Sequence, residues 1–314
     1  MAPRYARVMA MAFAAFLAAS IAMAADEMVQ IKGSDTLINM VQRLAEVYME
    51  KRPSTAIAVT GGGSGTGIAA LINRKCDIAN ASRTIKPKEV MDANSKGVDP
   101  KRIVVAIDAL SIVTNTSNPV KKLTIAQIGK IYKGEITNWK EVGGNDARIA
   151  LYGRQSNSGT YDFMKEVVME GEYSPSLKSM NGNAQIVEAI KQDATGIGYV
   201  GVGYARDAAG SVNVVKVAKD HSAGYFGPFN VADVKSGRYP ITRPLNQYVN
   251  GAPSGAAKRF LMFELSDEGQ SIVEKEGFFP VPDEYRKYNE STLGSSLGFP
   301  ADNPESRDPN EGAG

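Results

Sequence analysis

The chain has 314 residues, 43% of them hydrophobic and 22% charged, an ordinary globular composition with length for about two domains. A single histidine, His221, and a single cysteine, Cys76, exclude an intramolecular disulfide and the usual zinc, haem and iron–sulfur ligand sets, which need several nitrogen or sulfur ligands at one point; no metal and no cofactor are expected. Setting aside Arg4 and Arg7 at the amino end, the 36 basic residues become 34 and match the 34 acidic ones, so no general attraction to nucleic acid is expected.

The first 24 residues read as a cleavable signal peptide: Arg4 and Arg7 form a basic start, Val8 to Ile21 is apolar, and Ala22-Met23-Ala24 has the small-x-small pattern. The competing reading, a membrane anchor, needs an apolar run of about 18 to 20 residues, longer than this one. No cysteine follows to accept a lipid, so release into a periplasm is expected. No later apolar stretch is long enough to span a bilayer, which leaves any passage across a membrane to a partner.

Met28 to Lys32 alternates as a strand, and Leu37, Val41, Leu44 and Tyr48 then line one face of a helix stopped by Pro53. The unit repeats, with a strand from Ala56 to Val59, a glycine-rich loop from Gly61 to Gly67, and a helix carrying Ile68, Leu71 and Ile72. Ile78 and Ala79 fit a buried strand, and Pro87 opens a helix within Lys86 to Lys96. The long apolar stretch from Ile103 to Thr114, interrupted by Asp108, has the length to run from one lobe into another. Beyond it the spacing predicts a helix from Ile125 to Tyr132, a strand from Ile149 to Tyr152, helices from Thr160 to about Met169 and from Asn183 to Gln192, and a strand from Ile197 to Val200. Ser211 to Val249 is valine- and glycine-rich, as expected for extended chain returning to the first lobe, so that two crossing segments form a hinge. Ser254 and Ser266 stand at N-cap positions ahead of two further helices. Alternating strand and helix indicates an α/β fold with doubly wound sheets.

Three places share one local pattern, a strand followed by a Ser/Thr/Gly cluster at a helix start: Gly33-Ser34-Asp35-Thr36, Gly63-Ser64-Gly65-Thr66-Gly67 and Ser158-Gly159-Thr160. The first turn of a helix leaves N–H groups unpaired, hydroxyls add donors, and glycine lets a ligand approach. Any one of these clusters also fits ordinary N-capping. Three of them can converge on one small anion, because loops at the carboxyl ends of strands gather at one crevice. No lysine follows the glycine loop as a P-loop requires, no register gives G-x-G-x-x-G, and Thr66 stands where a nucleophile elbow needs glycine. A Ser-His-Asp triad would have to use His221, which lies in a polar, loop-like stretch. Arg83 and Arg154 lie close to these clusters and match an oxyanion's geometry; each has an exposed surface position as its alternative, and the Gly153-Arg154 step straight after a strand favours an inward role for Arg154.

In order and spacing these motifs, with Asp77-Ile78-Ala79-Asn80-Ala81-Ser82-Arg83 and Arg154-Gln155-Ser156-Asn157-Ser158-Gly159-Thr160, resemble the phosphate-binding proteins of ABC transporters, the PstS family, over about residues 28–280. Ile131 to Trp139 also reads as an element of that family. The resemblance implies a two-lobed periplasmic-binding-protein fold of type II that closes around inorganic phosphate and passes it to a permease and ATPase complex, acting as a monomer and not as an enzyme. With that fold, residues 25–110 and 220–288 form one lobe, 111–219 the other, and 289–314 a flexible tail. By position, Thr36, the Leu37 amide, Ser64, Arg154, Ser158, the Gly159 amide and Thr160 would contact the phosphate, with Ser34, Asp35, Ser82 and Arg83 as further candidates. The better-known branch of the family carries an aspartate near Ser82 and Arg83 that accepts the proton of hydrogen phosphate and excludes sulfate; a shorter-chain branch resembles this sequence in having Ser-Arg there. Asp35 is the nearest replacement acceptor, its alternative role being to favour a helix start. A binder of sulfate or molybdate, or a serine-dependent phosphatase or esterase, are the competing functions.

Overall fold

The computed structural model describes residues 27–295 and residue 297. The expected signal segment and the last part of the expected tail lie outside the described residues. Strand β1 (Glu27–Gly33) buries Val29 and Ile31 on one side, and a single turn of 3-10 helix, Asp35–Leu37, feeds helix α1 (Ile38–Lys51). The face of α1 bearing Met40, Val41, Leu44, Ala45 and Tyr48 packs inward, as its spacing requires. β2 (Thr55–Gly62), α2 (Ser64–Ile72), β3 (Ile78–Ala81), α3 (Pro87–Ser95) and β4 (Pro100–Ala109) continue the alternation. The expected loop from Gly61 to Gly67 contracts to Gly63 alone, because Gly61 and Gly62 extend β2 and α2 begins at Ser64.

β5 (Ser111–Thr114) follows β4 after Leu110 only, so the apolar stretch does run from one sheet into another. Next come β6 (Lys122–Thr124), α4 (Ile125–Lys133), β7 (Ala150–Arg154) and α5 (Gly159–Phe163), which continues as a π-helical turn, Met164–Met169. They are followed by β8 (Lys178–Met180), α6 (Asn183–Gln192), β9 (Gly196–Val200), α7 (Val202–Asp207), β10 (Asn213–Val214), β11 (Lys216–Ala218) and α8 (Val231–Lys235). The chain ends with β12 (Thr242–Asn250), α9 (Gly255–Glu264), α10 (Asp267–Lys275) and α11 (Asp283–Leu293). Ser266 caps α10 by accepting from the Gly269 amide, whereas Ser254 makes no side-chain cap.

The first sheet has the order β2-β1-β3-β12-β4 and the second β10-β5-β9-β7-β8; a two-stranded ribbon pairs β11 with β6. In the first sheet β1, β2 and β3 run parallel, and β12 returns antiparallel between β3 and β4. In the second, β7 is parallel to β8 and β9, and β5 is antiparallel to β9. Two segments join the sheets and lie side by side: the Leu110 amide donates to the Ile241 carbonyl at 2.9 Å, and Tyr239 Oη donates to the Leu110 carbonyl at 2.6 Å. The return therefore falls near residue 241 rather than at 220, since Val217 and Phe226 still exchange backbone hydrogen bonds with each other beside β6. Helix α11 also corrects the expected start of the tail at residue 289. Asn289 is buried there and ties α11 to β4, accepting from the Val104 amide at 2.9 Å and donating to the Val104 carbonyl at 2.7 Å.

Candidate anion-binding site

Side chains from both sheets meet where the strands end. β1 and its 3-10 turn present Thr36, the start of α2 presents Ser64, and the residue after β3 is Ser82; from the other side the loop after β7 presents Ser158, Gly159 and Thr160. All the hydroxyls are buried. Thr36 Oγ1 lies 3.0 Å from Thr160 Oγ1, Ser64 Oγ lies 3.4 Å from Ser82 Oγ, and Ser82 Oγ lies 3.5 Å from Thr160 Oγ1. The approach is close enough to demand glycine at 159, where a methyl group would collide with Ser64 Oγ and sit 2.8 Å from Ser82 Oγ. Gly63 is constrained as well: with φ of 96° it lies in the left-handed region, and a methyl group there would stand 2.7 Å from the Asn157 carbonyl. Asn157 in turn bridges the sheets, accepting from the Gly65 amide at 2.9 Å and donating through Nδ2 to the Gly62 carbonyl at 2.8 Å.

Two guanidinium groups stand beside this cluster. Arg154, the last residue of β7, is only 2% exposed; its Nη2 donates to the Asn181 carbonyl at 2.9 Å. Its Nε and Nη1 have no hydrogen-bond partner, Nη1 merely facing Asp35 Oδ2 at 3.5 Å. Burial pushes the Arg154 pKa down and Asp35 opposes that shift. Arg243, from β12, donates Nη2 to Thr160 Oγ1 at 3.0 Å and to Asp108 Oδ2 at 2.8 Å, and Nη1 to the Ser82 carbonyl at 3.0 Å. Its pKa is likewise pushed down by burial and supported by Asp108, its register partner across β4 and β12. Such a set, with hydroxyls, a buried guanidinium two of whose nitrogens lack a hydrogen-bond partner, and close backbone approach, suits a small oxyanion. Among the described residues no group of three or more His, Cys, Asp or Glu is arranged to hold a metal ion, and no helix is long and apolar enough to cross a membrane.

Residues 18–268 match the PBP superfamily domain. The phosphate-binding protein PstS of Pseudomonas aeruginosa is 34% identical over 268 residues, covering 80% of this chain and 82% of that protein. The chain belongs to the PstS family. PstS of Bacillus subtilis is 32% identical over 261 residues, covering 81% of this chain and 80% of that protein. Among solved PstS-like structures, a substrate-binding protein of Clostridium perfringens with bound phosphate superposes with a TM-score of 0.72 at 32% identity, covering 81% of this chain and 100% of that one. An ABC-type phosphate transport receptor of Vibrio cholerae gives a TM-score of 0.65 at 29% identity, with 81% and 100% covered. The two-lobed type II periplasmic binding fold expected from the sequence is the fold found.

Of the residues singled out in the sequence of this PstS member, Thr36, Ser64, Ser82, Ser158, Gly159 and Thr160 come together, with Arg154 beside them. Ser34 is buried next to them in the chain, its amide bound to the Asn80 carbonyl at 2.8 Å, and the Leu37 amide closes the turn onto the Ser34 carbonyl at 3.3 Å. Asp35 turns across to the second lobe, where Oδ2 accepts from the Asn183 amide at 2.9 Å and so caps α6. Arg83 is a correction. Its guanidinium grips both carboxylate oxygens of Glu89, at 2.8 and 2.7 Å, and its Nε faces Asp162 Oδ2 at 2.8 Å, so the fork expected to meet an oxyanion meets carboxylates instead. Although burial works against its charge, Glu89 and Asp162 outweigh it and raise the Arg83 pKa. Sequence reading missed Arg243; the available signal was Asp108, the lone charge interrupting the apolar stretch from Ile103 to Thr114, which once buried calls for a basic partner.

Proposed function

We propose that this chain captures inorganic phosphate in a periplasm and delivers it to the permease and ATPase complex of an ABC transporter, acting as a monomer and without catalysing a reaction. The observation that carries this reading is Arg154, whose buried Nε and Nη1 lack a hydrogen-bond partner beside hydroxyls contributed by both lobes. Buried donors of that kind call for an anionic acceptor. Hydrogen bonds to a charged group are each worth about 1.5 to 3 kcal/mol, so five or six donors supply the ~8 kcal/mol of micromolar binding once ordering costs are met. Catalysis finds no support in the serines: Ser64 Oγ receives the Ser82 amide at 3.0 Å rather than an imidazole, and His221 is exposed. The relatives are binding components of transporters, in keeping with capture and release.

Calorimetry of the ligand-stripped chain against phosphate, arsenate, sulfate and molybdate tests the reading, with a chromogenic phosphate ester as the enzymatic control. Phosphate is expected to bind with micromolar or tighter affinity and the ester to remain intact. Absence of phosphate binding, or ester turnover abolished by serine substitution, would overturn it.

A further inference from the structure

The capture proposed above, on which this inference rests, needs the lobes to part, because an anion held among buried hydroxyls leaves only when they separate. Contacts that hold the lobes together therefore govern how long the guest stays. One such contact is charged and lies one turn away from the cradle. Asp162, on α5, donates its amide to the Ser158 carbonyl at 3.1 Å, so it shares a helical turn with Ser158, Gly159 and Thr160. Its side chain is buried, yet both cations in ion-pair contact with it belong to the other lobe: Arg83 Nε and Lys86 Nζ each lie 2.8 Å from Oδ2.

Arg83 is held in place without help from Asp162. Glu89, in the first turn of α3, accepts from Nη1 and Nη2 at 2.8 and 2.7 Å and from the Lys86 amide at 2.8 Å, and Nη1 also donates to the Thr84 carbonyl at 3.0 Å. All of these bonds lie within the first lobe and do not depend on closure. They leave Nε as the edge of the guanidinium turned toward the second lobe. Arg83 and Lys86 together carry two positive charges against the one negative charge of Glu89, so this half of the contact has an excess that only Asp162 neutralises. Drawing Asp162 onto it seats the Ser158 turn against the first lobe, where Thr160 Oγ1 comes within 3.5 Å of Ser82 Oγ.

We propose that Arg83 and Asp162 form a clasp across the cleft, positioning residues that touch no anion but hold the Ser158–Thr160 turn against the first lobe and so set the rate at which bound phosphate escapes. Lys86, half of whose side chain meets solvent, supports the clasp from its rim.

The test is stopped-flow fluorescence of the ligand-stripped chain, carrying a fluorophore on the second lobe, with phosphate as the ligand. Asp162→Asn and Arg83→Gln should each raise the dissociation rate koff at least about tenfold while the association rate kon moves by no more than about threefold, because losing one member of a buried charge pair acts on dissociation. The double variant should release phosphate no faster than the faster single variant, since both substitutions remove the same contact. General loosening of the fold would instead accumulate from one variant to the next. Should Arg83→Gln fail to fold, Lys86→Ala replaces it, with a smaller effect and the same non-additivity against Asp162→Asn. An unchanged koff in Asp162→Asn, a loss of affinity carried by kon alone, or effects that multiply in the double variant would overturn the inference while leaving phosphate capture intact. A wild-type chain that binds no phosphate would remove the capture reading and this inference with it.

Discussion

Burial strips a guanidinium of its water, and every N–H left without an acceptor then carries the full cost of that loss. Arg154 bears two such nitrogens at 2% exposure, so its side chain is arranged for binding at the expense of stability. Replacing it with alanine removes donors that only an anion satisfies. Arg154→Ala should therefore weaken phosphate binding at least tenfold with little loss of melting temperature, measured by calorimetry and thermal unfolding. Near-native affinity would exclude Arg154 as a ligand. The step straight after a strand favoured an inward role for Arg154 in the sequence, but what takes Arg83 out of the site lay beyond that reading: Glu89 and Asp162 claim Arg83, whereas Asp35 lies 3.5 Å from Arg154 without hydrogen-bonding it. Hydroxyls were more legible, since Thr36, Ser64, Ser158 and Thr160 each stand at a strand-to-helix step that sequence pattern reveals.

Helices with a continuous apolar stripe, such as α1 and α6, follow directly from spacing, and α6 begins and ends where the periodicity placed it. Elements that escaped the reading are those held by tertiary contacts: β6 and β8 have three residues each, and α11 is polar along most of its length, docking through Asn289 and Leu293. A second tertiary effect is electrostatic. Glu264, on α9, is fully buried against β12, where its Oε1 accepts from Gln247 Nε2 at 3.1 Å, and burial pushes its pKa from 4.5 up to about 8. Folded protein thus keeps a proton that the unfolded chain releases above pH 4.5, so this residue's contribution to stability falls as pH rises from there to about 8 and is constant beyond. Glu264→Gln should raise the melting temperature, little near pH 5 and most above pH 8. An equal shift at every pH, or none, would show that Glu264 is not protonated in the fold.

At the scale of the whole molecule, the two lobes are joined at Leu110 and Ile241 and meet again at the cradle through Asp35 and Asn183, Asn157 and Gly62, and Arg83 and Asp162. The fold class, the hinge and most of the cradle were legible because the βα alternation and the Ser/Thr/Gly steps are local; the site of the return crossing and the part played by Arg243 were not, since both depend on which strands become neighbours in the first sheet. Donors drawn from two lobes are complete only when those lobes come together, which couples capture to closure. The most direct measurement is a crystal structure of the chain grown with arsenate, located by the anomalous signal of arsenic. One anion within hydrogen-bond reach of Thr36 and Ser64 from one lobe and of Arg154, Ser158 and Thr160 from the other is the predicted result; an anion bound by a single lobe, or seated away from these residues, would contradict the account.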